Sequence, residues 1–137
     1  MPSASDLLGD RRRVLVTGGA GFIGGAVVRR LLRETTVTVF NLDKMGYASD
    51  LSSIEEVLSE LGEAAKDRHR LQQVDLTDAA AVEAAVREAD PDLVMHLAAE
   101  SHVDRSISGP GVFIESNVNG TYNLLQAVRG HYEGLSG

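Results

Sequence analysis

Three glycines, Gly18, Gly21 and Gly24, stand at three-residue spacing in Thr17-Gly18-Gly19-Ala20-Gly21-Phe22-Ile23-Gly24. The apolar run Val14-Leu15-Val16 precedes them, and Ile23, Ala26, Val27 and Leu31 follow at helical intervals, so the turn joins a buried strand to an amphipathic helix. Such a turn needs backbone torsions that a Cβ opposes, lets a ligand approach main-chain N–H groups, and starts the helix close to the strand. The amides and dipole at the helix N-terminus then attract negative charge, which is the chemistry of a pyrophosphate cradle. Asp43 falls 19 residues beyond Gly24, at the end of a second strand. A carboxylate there accepts hydrogen bonds from ribose hydroxyls and repels a 2′-phosphate. Together these residues predict a dinucleotide site that prefers NAD to NADP, although Lys44 puts in the same loop a cation able to tolerate a phosphate.

Other positions carry weaker signals. Asp75 and Leu76 close a third strand, where a carboxylate and an apolar side chain can meet the edge and face of adenine, or simply begin a helix. Leu97-Ala98-Ala99 ends a fourth strand, where small side chains let a cofactor lie near the backbone, though Leu97 suits a core equally well. The polar stretch Glu100 to Ser106 follows at the carboxyl end of that strand, the usual ligand side of an open α/β sheet. Ser101 and His102 there can touch a substrate, or the stretch is a hydrogen-bonded loop with an Asp104–Arg105 surface pair. His96, His102 and Asp104 match no metal-ligand spacing, so no metal site is expected.

The elements that must position these residues alternate strictly. Thr36 to Leu42 reads as the second strand, followed by a long connection with Leu51, Ile54, Val57, Leu58 and Leu61 at helical spacing. Leu71 to Leu76 reads as a third strand, and Asp78 to Glu88 as a helix with Asp78 at its N-cap and Pro91 beyond it. Leu93 to Leu97 is a fourth strand. Val112 to Arg129 is a last helix with Thr121, Leu124, Leu125 and Val128 on one face, after which His131 to Gly137 reads as frayed. Short apolar strands separated by helices predict an α/β fold with a doubly wound parallel sheet of the Rossmann type, truncated to about four strands. A polar extension over 1–12, an incomplete NAD-binding domain over 13–132 and a frayed end over 133–137 are expected.

A net charge of −7 argues against a nucleic-acid partner, since phosphate binding needs a dense basic surface. Arg11-Arg12-Arg13 reads as a solvated entry to the first strand. The absence of cysteine excludes disulfides and thiolate metal sites and fits a cytoplasmic protein. Neither an export signal nor a run of apolar residues long enough to span a membrane is present, so no membrane association is expected.

These stretches together resemble the nucleotide-sugar 4,6-dehydratases of the extended short-chain dehydrogenase/reductase superfamily, the NAD-dependent epimerase/dehydratase group. The resemblance spans residues 13 to 132 and rests on VLVTGGAGFIG (Val14 to Gly24), Asp43-Lys44, Val74-Asp75-Leu76, MHLAAESHVDRSI (Met95 to Ile107) and FIESNVNGTY (Phe113 to Tyr122). It implies that Phe22, Ile23, Asp43, Lys44, Asp75, Leu76, Leu97, Ala98, Ala99 and Ser116 contact NAD. It further implies that Ser101 and His102 face a nucleotide sugar of the dTDP-glucose type, and that Asn117 is a structural or relay position. The pattern departs at Met45-Gly46, where such enzymes usually carry Leu-Thr, and at Ser116, often Thr.

Members of the group use a tyrosine base four residues before a lysine, together with acidic groups that eliminate water. Four positions after Tyr47, Tyr122 and Tyr132 stand Leu51, Gln126 and Ser136, so the sequence contains no Tyr-x-x-x-Lys. Without that base the first hydride abstraction lacks a proton acceptor, and the chain alone is expected to be catalytically incompetent. The resemblance also implies further strands and a substrate domain outside this sequence. Leu93 to Leu97 should then be a sheet edge, open to pairing, and a last helix of this kind also allows a homodimer. Two other readings remain open: a free-standing NAD-binding or interaction module completed by another chain, and part of a nucleotide-sugar 4-epimerase.

Overall fold

A computed structural model describes Gly9 and residues 11–45, 51–98 and 110–136, with side chains in the last range described from 120 to 133. The elements are β1 (Arg13–Thr17), α1 (Phe22–Glu34), β2 (Thr38–Leu42), α2 (Ser52–Leu61), α3 (Glu63–Lys66), β3 (His69–Gln72), α4 (Ala79–Ala89), β4 (Leu93–His96) and α5 (Pro110–Ser136). They fall into two compact units, Met1–Gln73 with Pro91–Ala98, and Val74–Asp90 with Ala99–Gly137.

The first unit holds a four-stranded sheet in the order β3-β2-β1-β4, and every pair is parallel. β1 is central: Val14 aligns with Val39 on one side and Leu93 on the other, and Thr17 with Leu42 and His96. Because side chains alternate along a strand, Val14, Val16 and Val39 share the face on which α1 and α2 lay Val28, Leu31, Leu32, Ile54 and Val57, all buried. Leu93 and Met95 pack against the same cluster from β4. Each such Val or Leu contributes roughly 1.5–3 kcal/mol by leaving water, so this cluster holds the helices to the sheet. At the opposite end of the strands, the Asp92 carboxylate accepts from the Arg12 and Arg13 amides at 2.8 and 3.1 Å, which sets the start of β1 against the start of β4.

Two expectations about these elements are corrected. The buried face of α1 is Gly24, Gly25, Val28, Leu31 and Leu32, whereas Ile23 and Ala26 are exposed. The face that meets the sheet begins on glycine, so the apolar stripe starts a turn later than hydrophobicity alone suggests. β3 spans His69–Gln72, not Leu71 to Leu76. Its register is dictated by β2, with Leu42 opposite Gln72, and pairing ends where β2 ends. Being an edge strand, β3 leaves Arg70 and Leu71 exposed, which removes the apolar run that would mark its limits. Among the described residues β4 is the other edge, and all four of its residues are only half-buried.

In the second unit α4 packs on α5. Asp78 caps α4 by accepting from the Ala81 amide at 3.1 Å, and Asp90 ends it in the left-handed conformation at φ 42°. The described buried positions on α5 are Gly120, Leu124 and Ala127, while Leu125 is 63% exposed, so the packed stripe lies one position away from the expected face. α5 continues to Ser136, past the expected end near Arg129, and His131 Nε2 bonds Asp90 Oδ1 at 2.7 Å in that last stretch. Among the described residues no helix is long and apolar enough to cross a membrane.

Candidate functional site

From β1 the chain winds outward to β2 and β3, then returns to β4 on the other side of β1. That reversal is a topological switch point at the carboxyl ends of β1 and β4, where open α/β sheets form the crevice that binds ligands. The glycine turn fills this position. Gly18 adopts φ +73°, donates its N–H to Leu42 O at 2.8 Å and accepts from Gly21 N at 3.1 Å. A Cβ there would stand 2.7 Å from the Ala98 Cα, so both torsion and contact with the end of β4 demand glycine. A Cβ on Gly24 would collide with the Gly18 carbonyl oxygen, which is how closely α1 begins against the turn.

Gly21 differs. It has ordinary extended torsions, and a Cβ would meet nothing closer than the Gly18 oxygen at 3.4 Å. Packing among the described residues does not require glycine at this position, whereas a ligand lying on the helix N-terminus does. The first turn of α1 holds no acidic residue, and Gly21 supplies no side-chain cap, so among the described residues no side chain of that turn competes with an anion for the helix amides. Phe22 and Ile23 stand beside that N-terminus, 95% and 67% exposed. This cradle fits a pyrophosphate.

Asp43 follows β2 immediately and is buried. Its N–H donates to Gln72 O at 3.0 Å, Oδ2 accepts from the Ala20 amide at 3.0 Å, and Oδ1 accepts from the Met45 amide at 2.7 Å. The carboxylate therefore fastens the middle of the glycine turn to the end of β2. Two carboxylate oxygens offer about four lone-pair sites, so one carboxylate can serve several donors at once. Lys44 beside it is exposed, and Met45 takes φ 58°, an uncommon torsion for a residue with a Cβ.

Leu97 and Ala98 emerge from β4 next to Gly18, Leu97 being 38% exposed. Asp75 and Leu76 lie beyond the end of β3 instead of closing it. Asp75 Oδ1 accepts from the Thr77 amide and hydroxyl at 2.9 and 2.8 Å, a local turn that leads into α4. Leu76 O accepts from Asn123 Nδ2 at 2.8 Å, and its side chain abuts Gly120. Ala99, Ser101 and His102 lie outside the described residues. Ser116 and Asn117 are placed on α5 by the backbone alone. Among the described residues no group of His, Asp and Glu is arranged to hold a metal.

Sequence reasoning passed over two features of the site. Thr17, fully buried, gathers Leu97 N, Ala98 N and His96 Nδ1 around its hydroxyl. A hydroxyl residue at the last position of an otherwise apolar strand, level with a histidine ending another, was the available signal. Gly19 lies against the side chain of Asn41, a fully buried amide whose Nδ2 is 3.2 Å from His69 Nε2. Burial lowers the pKa of both His69 and His96 from the ordinary 6.5 and favours their neutral rings.

Comparison with known proteins places this geometry. Residues 15–135 match the family model described as GDP-mannose 4,6 dehydratase. A dTDP-glucose 4,6-dehydratase of Neisseria meningitidis serogroup B is 50% identical over 122 residues, which are 89% of this chain and 33% of that protein. Among solved structures, DesIV, a dTDP-glucose 4,6-dehydratase from Streptomyces venezuelae with NAD and TYD bound, superposes with a TM-score of 0.69 and 42% identity, covering 84% of this chain and 35% of that one. The UDP-glucose 4-epimerase of Bifidobacterium longum in complex with NAD+ and UDP gives 0.73 at 30% identity, covering 87% and 34%. The chain thus spans about a third of the length of the relatives it matches. With a Rossmann-type sheet, a glycine turn at its switch point and a family model matched from residue 15 to residue 135, the chain belongs to the GDP-mannose 4,6 dehydratase family.

Proposed function

We propose that this chain is the NAD-binding part of a nucleotide-sugar 4,6-dehydratase, of the type that converts dTDP-glucose to its 4-keto-6-deoxy product. The observation that carries the reading is the glycine turn, pinned on one side to Asp43 through the Ala20 amide and packed on the other against the Leu97–Ala98 backbone. Bound NAD supplies a hydride acceptor for the sugar carbon. The chain's own residues bind and orient it: the α1 N-terminus receives the pyrophosphate, Asp43 the adenosine ribose, and Leu97 and Ala98 line the crevice. Asp43 favours NAD over NADP because a 2′-phosphate would approach a buried carboxylate. Ser101 and His102, and Ser116 on α5, keep the roles in sugar and cofactor binding that the family resemblance gives them, as do Asp75 and Leu76 for adenine.

Curated dehydratase relatives stand at 43–50% identity, whereas solved 4-epimerases stand at 27–38% and solved dehydratases at 27% and 42%; the curated matches support the dehydratase reading over the 4-epimerase one. A second reading, a module completed by another chain, draws support from β4, a half-buried edge strand whose outer side has no partner strand among the described residues. Incubating the chain with NAD and dTDP-glucose tests both. The dehydratase-part reading expects NAD to bind and no keto sugar to form, because the sequence lacks a Tyr-x-x-x-Lys pair. Turnover by the chain alone would refute the incompetence. Binding and turnover that appear only when a separate polypeptide is added would favour the second reading.

A further inference from the structure

We infer that Thr17 and His96 form a positioning pair, in which the imidazole orients the threonine hydroxyl and the hydroxyl holds the Leu97–Ala98 backbone at the wall of the switch-point crevice. The hydrogen-bond count around one atom supports this. Thr17 Oγ1 lies 3.0 Å from Leu97 N, 3.1 Å from Ala98 N and 2.6 Å from His96 Nδ1. A hydroxyl has one proton and two lone pairs. Backbone amides can only donate, so the two N–H groups take both lone pairs and the hydroxyl proton must go to Nδ1. Nδ1 must then be unprotonated, which assigns His96 the neutral tautomer with its proton on Nε2. The lowered pKa that burial gives His96 agrees with that form.

Each partner is needed for a different reason. Leu97 N–H has a second acceptor, Thr17 O at 3.1 Å, but the Ala98 N–H has the hydroxyl alone among the described residues. Loss of the hydroxyl therefore releases Ala98 more than Leu97. Ala98 is the residue whose Cα would stand 2.7 Å from a Cβ on Gly18, so its placement sets how closely the end of β4 approaches the glycine turn. Loss of Nδ1 as an acceptor leaves the hydroxyl proton without its partner. The proton then competes for the directions in which the amides donate.

The effect on cofactor affinity rests on the NAD-binding reading above; the effect on the backbone does not. Four substitutions separate the alternatives. Thr17→Val keeps the shape and removes the hydroxyl, and Thr17→Ser keeps the hydroxyl. His96→Leu removes the acceptor, and His96→Asn returns an amide oxygen close to the place of Nδ1. Amide hydrogen exchange at Ala98, compared with Val16 as an internal reference, reads the backbone, and calorimetric titration with NAD reads the site. We expect exchange at Ala98 to rise about tenfold or more in Thr17→Val and His96→Leu, with NAD affinity falling by a similar factor. The Thr17→Ser and His96→Asn variants should stay within about threefold of the parent on both measures.

Unchanged exchange at Ala98 in Thr17→Val would overturn the inference, as would equal losses in His96→Leu and His96→Asn. Should Thr17→Val fail to fold, the two His96 variants decide, since His96 lies on the half-buried edge strand. Should no form bind NAD, the cofactor reading fails, and the exchange rates alone judge the pair.

Discussion

Asp43 Oδ2 accepts the Ala20 amide at 3.0 Å, so a residue at the end of β2 braces the turn that follows β1. The same carboxylate receives the Met45 amide through Oδ1. Asp43 thus has an architectural role as well as the ribose-binding one proposed for it. Asp43→Ala should lower folding stability by about 1–3 kcal/mol, because two amide bonds to a buried carboxylate disappear. It should also weaken NAD more than NADP, narrowing the preference between them. Chemical denaturation gives the first effect and calorimetry the second. Loss of NAD binding with unchanged stability would mean that the brace contributes nothing to folding.

Gly21 and Gly24 should respond oppositely to alanine. Gly24→Ala puts a Cβ on the Gly18 carbonyl oxygen, so α1 must shift, at a cost of about 1–3 kcal/mol. Gly21→Ala meets only an ordinary contact at 3.4 Å and should fold within about 1 kcal/mol of the parent while binding NAD at least about tenfold more weakly. Melting temperatures set beside NAD affinities distinguish the two positions. Equal destabilisation by both would show that the turn is packed more tightly around Gly21 than its geometry indicates.

Acid should destabilise the fold through His69 and His96. Burial holds both folded pKa values below the ordinary 6.5, so the unfolded chain binds protons first as pH falls. The penalty is absent well above 6.5, begins as pH drops through that value and grows until the folded rings also protonate. Urea midpoints measured from about pH 8 to about pH 5 should decline across this window, less steeply in His69→Gln than in the parent. A midpoint that rises on acidification contradicts the assignment.

Asp78→Ala removes the oxygen that accepts the Ala81 amide and should cost about 1 kcal/mol, localised to α4. Hydrogen exchange in the first turn of α4 should rise while protection in β1 holds.

What the sequence made legible followed from backbone demands. Gly18 needs its positive φ and Gly24 its contact, Asp78 caps as its position suggested, and the alternation of strands with helices was enough to give the parallel order. Features that depend on tertiary partners were hidden. The limits of β3 come from its register on β2, not from its own apolar pattern, and so Asp75 and Leu76 lie beyond the strand they were expected to close. Ile23 looked like core because it is apolar, yet the helix meets the sheet through Gly24 and Val28. Thr17 and His96 are 79 residues apart, and only the pairing of β1 with β4 brings them to one hydrogen bond.

The central claim is that the turn from Gly18 to Gly24, with Asp43, forms a competent cofactor site. Calorimetric titration of the chain with NAD and with NADP, beside Gly21→Ala, tests it most directly. The account predicts that NAD binds one to one, that NADP binds more weakly, and that Gly21→Ala loses affinity while remaining folded. A folded chain that takes up neither dinucleotide, or that binds NAD equally well with alanine at position 21, would contradict it.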